Sequence, residues 1–151
     1  MLKETLENLN IKPGDWYVDC NLGGGGHTRG ILEKGGNVLG IDLDPDAIAE
    51  VSKSLKEYID NGRLKLTQTN FINITDAVKE NNIDVSGVLF DLGVSTHQLE
   101  IAERGFSFNT DAPLDMRMDP TKGASAKDLI NGLYEKELAE LFLKLGEENW
   151  S

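Results

Sequence analysis

The chain has 151 residues, 39% of them hydrophobic and 27% charged, which fits one globular domain or part of one and excludes a disordered segment. Its formal net charge of −11 makes this chain alone a poor nucleic-acid binder, because such affinity depends largely on Lys and Arg at phosphates. We find no secretory signal at the N-terminus and no apolar run that could span a bilayer, and the single cysteine, Cys20, permits no internal disulfide, which is typical of the reducing cytoplasm.

Short apolar segments alternate with helix-like segments from the N-terminus to Leu92. Strands are predicted at residues 16–20, 37–41, 64–69 and 85–92, and helices at residues 5–9, 26–34, 45–58 and 72–80. The second and fourth strands are apolar on both faces, as in a sheet that helices cover on each side. This order predicts an α/β fold built from βαβ units around a parallel sheet.

The pattern changes after Gly93. A long polar segment follows, "STHQLEIAERGFSFNTDAPLDMRMDPTKGAS", and a loop of this length in a compact domain is usually functional. Two short helices are predicted between residues 124 and 145, with no further strand after them. The apolar fourth strand is expected to be central, so the predicted sheet is incomplete and its unpaired edge invites self-association.

Four consecutive glycines follow the first strand, in "VDCNLGGGGHTRGIL" (residues 18–32). Ligands of parallel sheets bind at the carboxyl ends of the strands, and glycines let a ligand approach the backbone without meeting a Cβ. A mobile linker is the alternative. The regular elements predicted on both sides favour a ligand-binding turn.

The residues around the glycines narrow the choice of ligand. No Lys follows them as in a P-loop, and no register gives a dinucleotide fingerprint, so a nucleoside triphosphate and NAD are disfavoured. Asp42, in "GIDLDP", stands about 20 residues after the loop, where an acid accepts ribose hydroxyls. Acids end three predicted strands (Asp19, Asp42 and Asp91), and they favour a cationic adenosine ligand such as S-adenosylmethionine. Asp44 has a simpler alternative as a helix N-cap.

Four segments resemble one known family. They are "YVDCNLGGGGHTRGIL", "GIDLDPDAI", "DLGVSTHQL" and "ERGFSFNTDAPLDMRMDP", and they occur in order over nearly the whole chain. Together they resemble the RsmH (MraW) family, bacterial enzymes that use S-adenosylmethionine to methylate N4 of a cytosine in small-subunit (16S) ribosomal RNA. The resemblance implies a class I, Rossmann-like methyltransferase fold.

The resemblance also implies which residues contact S-adenosylmethionine. Gly25, Gly26 and His27 are implied at the methionine end of the cofactor. Asp42 is implied at the ribose and Phe71 beside the adenine. Asp91 and Gln98 are the last two implied contacts. No metal ligands are predicted, because the two histidines and the cysteine lie far apart in the sequence.

Methylation of a cytosine amine needs an acceptor for the amine proton, because the lone pair of that amine is delocalised into the ring. Asp91 ends the fourth strand like the acid of amino-methyltransferases, and it serves either as this acceptor or only as a cofactor contact. Asp115, in "PLDMRM", is the second catalytic candidate, and its alternative is a salt bridge to Arg117. Phe106 and Phe108 either stack on an extruded base or pack the loop onto the core.

The resemblance divides the chain into an S-adenosylmethionine-binding part, residues 1–95, and a connecting loop with the beginning of an inserted substrate-recognition domain, residues 96–151. Family members are longer, so we expect small-subunit ribosomal RNA to be bound mainly by parts that this chain lacks. We expect no membrane partner and no methylation of ribosomal RNA by this chain alone. Two other functions stay open: a noncatalytic S-adenosylmethionine-binding fragment or scaffold, and a small-molecule methyltransferase, which suits the acidic charge.

Overall fold

The structure is a computed structural model that describes residues 2–148. It contains two compact units, the first ending at His97 and the second beginning at Gln98. No helix in the described range is long and apolar enough to cross a bilayer. The functional division predicted at residues 95 and 96 stays a prediction.

The first unit is built on a four-stranded parallel sheet. Its strands are β1 Trp16–Asp19, β2 Asn37–Asp42, β3 Leu64–Gln68 and β4 Val85–Leu89, in the order β3-β2-β1-β4. Its helices are α1 Leu2–Asn8, α2 Gly26–Glu33, α3 Pro45–Ser54, α4 Lys56–Asp60 and α5 Ile74–Asn81, with a 3-10 turn at Phe71–Asn73 before α5. Every neighbouring pair of strands is parallel, which confirms the predicted α/β fold.

The direction of strand addition reverses at β1. The chain places β2 and β3 on one side of β1 and then returns to place β4 on the other side. Because crossovers between parallel strands are right-handed, the connections before and after this reversal cover opposite faces of the sheet. Ligands of open parallel sheets bind beside the carboxyl ends of the strands at such a reversal, here between β1 and β4.

Successive side chains of β1 and β2 pack in two separate hydrophobic cores, one on each face of the sheet. Tyr17 of β1 packs in the core with residues of α1, α2 and α3, whereas its neighbour Val18 packs in the core on the side of α5. Val38 and Leu39 of β2 divide in the same way. A fully buried large apolar side chain contributes about 1.5–3 kcal/mol, so β1 and β2 hold the sheet to both helical layers. The hydroxyl of Tyr17 accepts a hydrogen bond of 2.8 Å from the N–H of Lys12.

Several element boundaries differ from the predictions, and the first helix begins at Leu2 rather than at residue 5. The helix predicted at residues 45–58 is interrupted at Leu55, whose φ of −119° separates α3 from α4. The helix predicted at residues 72–80 begins as the 3-10 turn. The fourth strand ends at Leu89 rather than Leu92, because its register with β1 ends where Asp19 pairs with Leu89 and β1 leaves the sheet.

β4 lies at an edge of the described sheet and is hydrogen-bonded there to β1. Val88 is 42% exposed, and Phe90 and Leu92 beyond the strand are 50% and 64% exposed. In the part of the chain that the structure describes, β4 therefore does not have the central position that its apolar sequence predicts. Among the described residues no strand pairs with the outer edge of β4, as was also predicted.

The described part of the second unit contains a long loop with a 3-10 turn at Ala102–Arg104 and three short α-helices, α6 Thr96–Glu100 (which begins at the end of the first unit), α7 Ala126–Gly132 and α8 Glu135–Leu145. Arg104 organises the loop, since its buried guanidinium donates to the main-chain oxygens of Arg117 and Met118 at 3.0 and 2.9 Å. A capping box of Ser125 and Asp128 starts α7. α7 and α8 confirm the two helices predicted between residues 124 and 145.

Candidate active site

Gly25 ends the glycine loop and is the N-cap of α2. Its φ of 75° is left-handed, and a Cβ at this position would lie 2.9 Å from Cγ2 of Val51 in α3. Gly25 therefore lets α2 begin against α3. This packing explains why residue 25 is a glycine, whether or not a ligand binds there.

Gly24 and Gly26 are required by neither packing nor backbone angle. A Cβ at either position would meet no atom within 4 Å, and neither residue has a left-handed φ. Both are exposed and line a pocket. The open space above their backbone fits a ligand that approaches the main chain closely.

A pocket of about 340 Å³ lies between the glycine loop and the turn that follows β4. Its lining comes from these two segments and from the start of α1, namely Leu2, Asn21, Leu22, Gly23, Gly24, Gly26, His27, Asp91, Leu92, Gly93, Val94, Ser95 and Thr96. The volume is in the range of small-molecule sites. Three of the predicted cofactor contacts, Gly26, His27 and Asp91, meet in this lining.

His27 and Asp91 approach each other across the pocket wall. Nδ1 of His27 lies 3.4 Å from Oδ2 of Asp91, and the two side chains are 19% and 52% exposed. Within the described chain, no hydrogen-bond partner lies within reach of the buried Nε2 of His27. The imidazole thus faces a carboxylate at the end of β4, a long-range pair that the sequence does not reveal.

Asp19 lies beneath the glycine loop and is 1% exposed. Burial raises the pKa of its carboxyl, against hydrogen bonds from the hydroxyl of Thr28 at 2.7 Å and the N–H of Asn21 at 3.4 Å that lower it. The Asp19 carboxyl therefore supports the loop from below. Burial also raises the pKa of the neighbouring Cys20 thiol to about 11, which makes it an unreactive core residue.

Asp42 joins the glycine loop to the end of β2. Its Oδ2 accepts from the N–H of Gly23 and its Oδ1 from the N–H of Asp44, both at 2.9 Å. Asp42 is 9% exposed and is not part of the pocket lining. Asp44 caps α3 by accepting from the N–H of Asp46, so the N-cap interpretation of Asp44 is confirmed.

Phe71 lies in the 3-10 turn that follows β3, at the carboxyl end of the sheet. Its ring meets that of Phe90, the residue after β4, edge to face at a centroid distance of 5.8 Å. Phe71 is 37% exposed and outside the pocket lining. The loops after the two outer strands of the sheet therefore touch through these rings, and the adenine contact of Phe71 stays a prediction.

A family profile described as MraW methylase family matches residues 1–151. The chain belongs to the MraW methylase family. Among its curated relatives, ribosomal RNA small subunit methyltransferase H of Clostridioides difficile is 45% identical and that of Brevibacillus brevis 47% identical. Each comparison covers 100% of this chain and 49% of the relative, so the chain spans about half the length of these curated relatives.

Solved structures of methyltransferases share the fold. An rRNA methylase from Streptococcus thermophilus has a TM-score of 0.51 and 20% identity, over 60% of this chain and 53% of that one. The C-terminal domain of precorrin-6Y C5,15-methyltransferase from Rhodobacter capsulatus has a TM-score of 0.52 and 22% identity, over 64% and 50%. These matches confirm the predicted class I methyltransferase fold of this MraW-family chain.

Two predicted site residues of this MraW-family chain lie in the second unit. Gln98 is 4% exposed, and its Nε2 donates to Sδ of Met118 at 3.2 Å. Asp115 forms a two-pronged pair with Arg117, through Nε–Oδ1 at 3.0 Å and Nη2–Oδ2 at 2.6 Å. The hydrogen bonds from Arg117 lower the pKa of Asp115, which makes it a weaker proton acceptor. The cofactor role of Gln98 and the catalytic role of Asp115 stay predictions.

Phe106 and Phe108 differ in their surroundings within the second unit. The guanidinium carbon of Arg104 lies 5.9 Å from the centroid of the Phe106 ring, so Phe106 takes part in the packing around that buried side chain. Phe108 is 99% exposed. Phe106 thus packs within its own loop, and the exposed Phe108 stays the candidate for stacking on a base.

Asn21 is a pocket residue that the sequence did not single out. Its Nδ2 donates to the main-chain oxygen of Asp91 at 2.7 Å and to that of Gly93 at 3.5 Å. An amide two residues after the buried Asp19 was a visible signal. Its partners stand 70 and 72 positions away, however, and local sequence patterns do not identify such contacts.

Proposed function

We propose that this chain is the S-adenosylmethionine-binding part of a methyltransferase that acts on N4 of a cytosine in small-subunit ribosomal RNA. The observation that carries the proposal is the pocket in which an open glycine backbone faces Asp91, in a chain of the MraW methylase family. The names of the two relatives support small-subunit ribosomal RNA as the substrate class. The N4 position rests on the resemblance of the sequence motifs alone.

The chemistry of the site supports this cofactor. The space above Gly24 and Gly26 admits a group that lies on the main chain, and a Cβ is absent from both positions. Asp91 supplies negative charge at the pocket wall, which favours a cationic sulfonium over a neutral ligand. We assign the ribose hydroxyls to Asp42 and the adenine to Phe71, because Asp42 ends β2 and Phe71 follows β3 at this edge of the sheet.

Bound S-adenosylmethionine would supply an electrophilic methyl group on a positively charged sulfur. The acceptor amine gains that methyl and must lose one proton to a base of the protein. Asp91 is 52% exposed at the pocket, whereas the pKa of Asp115 is lowered by its pair with Arg117. We therefore assign proton acceptance to Asp91, and Asp115 holds Arg117 in the loop of the second unit.

Ribosomal RNA and a second copy of the chain are the proposed partners. The net charge of −11 is unsuited to phosphate binding, so RNA recognition would fall mainly to other parts of a longer protein, in the cytoplasm. The exposed edge of β4, with Val88 at 42% exposure, supports self-association of the isolated chain.

Calorimetric titration of the pure chain tests the cofactor assignment. We expect one site for S-adenosylmethionine and for its demethylated product, with weaker S-adenosylmethionine binding in Asp91→Asn. ATP and NAD serve as control ligands, and a chain that binds either of them but not S-adenosylmethionine would contradict the proposal.

Methyl transfer is tested with labelled cofactor and small ribosomal subunits that lack the modification. A full-length relative is the positive control, and we expect the isolated chain to bind cofactor without transferring methyl groups. Robust incorporation by the isolated chain would show that residues 93–151 already form a complete substrate site.

A further inference from the structure

The turn after β4 forms one wall of the pocket, yet it lies outside the sheet. The last main-chain bond between β1 and this region runs from the N–H of Cys20 to the oxygen of Leu89, at 2.9 Å. From Phe90 to Val94 every residue is exposed, and none lies in a helix or strand. Gly93 has a φ of 147°, which a residue with a Cβ rarely adopts.

Asn21 fastens this turn to the opposite wall. Its side-chain amide donates at 2.7 Å to the oxygen of Asp91 and at 3.5 Å to that of Gly93, so one group holds two points of the exposed segment. Asn21 itself is fixed from below, because its N–H lies 3.4 Å from Oδ1 of the buried Asp19. The chain of contacts runs from the sheet core through Asn21 to the turn.

The same turn presents the carboxylate of Asp91 to the pocket. Asn21 holds the main chain of this residue, and His27 lies 3.4 Å from its side chain. Asn21 of the glycine loop and His27 in the first turn of α2 thus define the position of one carboxylate in the turn after β4. A charged side chain stabilises a bound ligand more strongly when its position is already fixed before the ligand binds.

We infer that Asn21 is a positioning residue, which fixes the turn after β4 and thereby sets the Asp91 carboxylate against the bound cofactor. This inference rests on the proposed function, since it concerns the same pocket. Asn21 affects cofactor affinity mainly through Asp91, so its contribution depends on the presence of the Asp91 carboxylate.

The test is a double-mutant cycle measured by calorimetric titration of the full chain. Asn21→Ala should weaken S-adenosylmethionine binding about fivefold to tenfold, the change expected from one lost net hydrogen bond. The demethylated product, which lacks the sulfonium charge, should lose less affinity. In the Asp91→Asn background, Asn21→Ala should have little further effect, because residues that act through one another are not additive.

Asn37→Ala is the matched control. Nδ2 of Asn37 also donates to a main-chain oxygen at 2.7 Å, that of Gly14, but at the amino end of the sheet. We expect a similar change in stability with unchanged ligand affinity. Asn21→Asp provides a second variant of equal size; its added negative charge alone would favour a cationic ligand, so a loss of affinity there reports displacement of the turn.

The outcomes separate the two proposals. If the unmodified chain binds S-adenosylmethionine and Asn21→Ala binds it equally well, the positioning role is wrong and the proposed function stands. Fully additive losses in the cycle would also overturn the positioning role. If the unmodified chain binds neither S-adenosylmethionine nor its product, the proposed function itself fails.

Discussion

The hydroxyl of Thr28 donates a hydrogen bond of 2.7 Å to Oδ2 of Asp19, and both residues are buried beneath the glycine loop. Asp19 is the last residue of β1 and Thr28 lies in the first turn of α2, so this bond closes the loop at its base. The bond stabilises the ionised carboxyl, whereas burial has the larger and opposite effect on its pKa.

Asp19 should make the stability of the chain depend on pH. Because its pKa is raised in the folded state, its contribution is fully present below the ordinary value of about 3.9 and is lost as the pH rises through the folded value. Relative to Asp19→Asn, the unmodified chain should therefore gain stability as the pH falls from neutrality towards the isoelectric point near 4.5. Denaturant unfolding at a series of pH values measures this difference.

Thr28→Val is the control for the same effect. Loss of the hydroxyl removes a bond that lowers the pKa of Asp19, so the pH dependence should move to higher pH. A stability difference between the unmodified chain and Asp19→Asn that is constant with pH would show that Asp19 has the same pKa in both states.

Gly25→Ala and Gly26→Ala should separate folding from binding. At Gly25 the left-handed φ and the close Cγ2 of Val51 should cost about 2 kcal/mol of stability, visible as a lower melting temperature. At Gly26 a Cβ meets no atom of the chain, so stability should change little while S-adenosylmethionine affinity falls. Equal affinity in Gly26→Ala and the unmodified chain would mean that no ligand lies on this part of the backbone.

Asp42→Ala should lower both stability and cofactor affinity. The change removes the acceptor of the N–H groups of Gly23 and Asp44, and we expect each effect to be about 1–3 kcal/mol. Asp44→Ala is the matched variant, because it removes a helix cap worth about 1 kcal/mol and should leave affinity unchanged. Calorimetry and thermal unfolding of both variants give the comparison, and equal cofactor affinity in the two would remove Asp42 from the site.

Val88→Lys should reduce self-association of the isolated chain. Val88 is 42% exposed on the edge strand β4, and a charge on an edge strand opposes pairing with another strand. Sedimentation at increasing concentration would measure the effect. Leu143→Lys in α8 changes a residue of similar exposure, 52%, away from the sheet, and an equal reduction there would assign association to general hydrophobicity.

Much of the fold could be predicted because each local pattern agrees with its place in the sheet. β2 is apolar on both faces and is buried from Val38 to Asp42 between β1 and β3. β4 has the same kind of sequence but only one described neighbouring strand, β1. Composition therefore predicts that the segment is a strand but not whether it lies at the centre or the edge of the sheet. The end of β4 at Leu89 depends on where β1 leaves the sheet, which is a tertiary constraint.

The candidate site was less predictable than the fold. Gly26 and Asp91 follow from the position of strand ends, and both line the pocket. The contact of His27 with Asp91 and the bonds of Asn21 join segments that are distant in the chain, and no local signal encodes them. The consecutive glycines are also required on different grounds. Gly25 allows α2 to pack against α3, whereas Gly26 leaves space for a ligand.

The reversal of strand order at β1 has a consequence for how the molecule assembles. The pairings of β1 with β2 and of β2 with β3 join successive strands, whereas β4 returns to β1 from far along the chain, and the bond from Asn21 to Asp91 beside it closes a loop of 70 residues. Pairings of such separation form late in folding, because they carry a larger loss of chain entropy. We therefore expect the two walls of the pocket to come together late in folding, and a ligand held between them should slow the release of β4. Cofactor would thus bind only after β4 has joined the sheet. When cofactor is added, we expect amide hydrogen exchange to slow more in β4 than in the other strands.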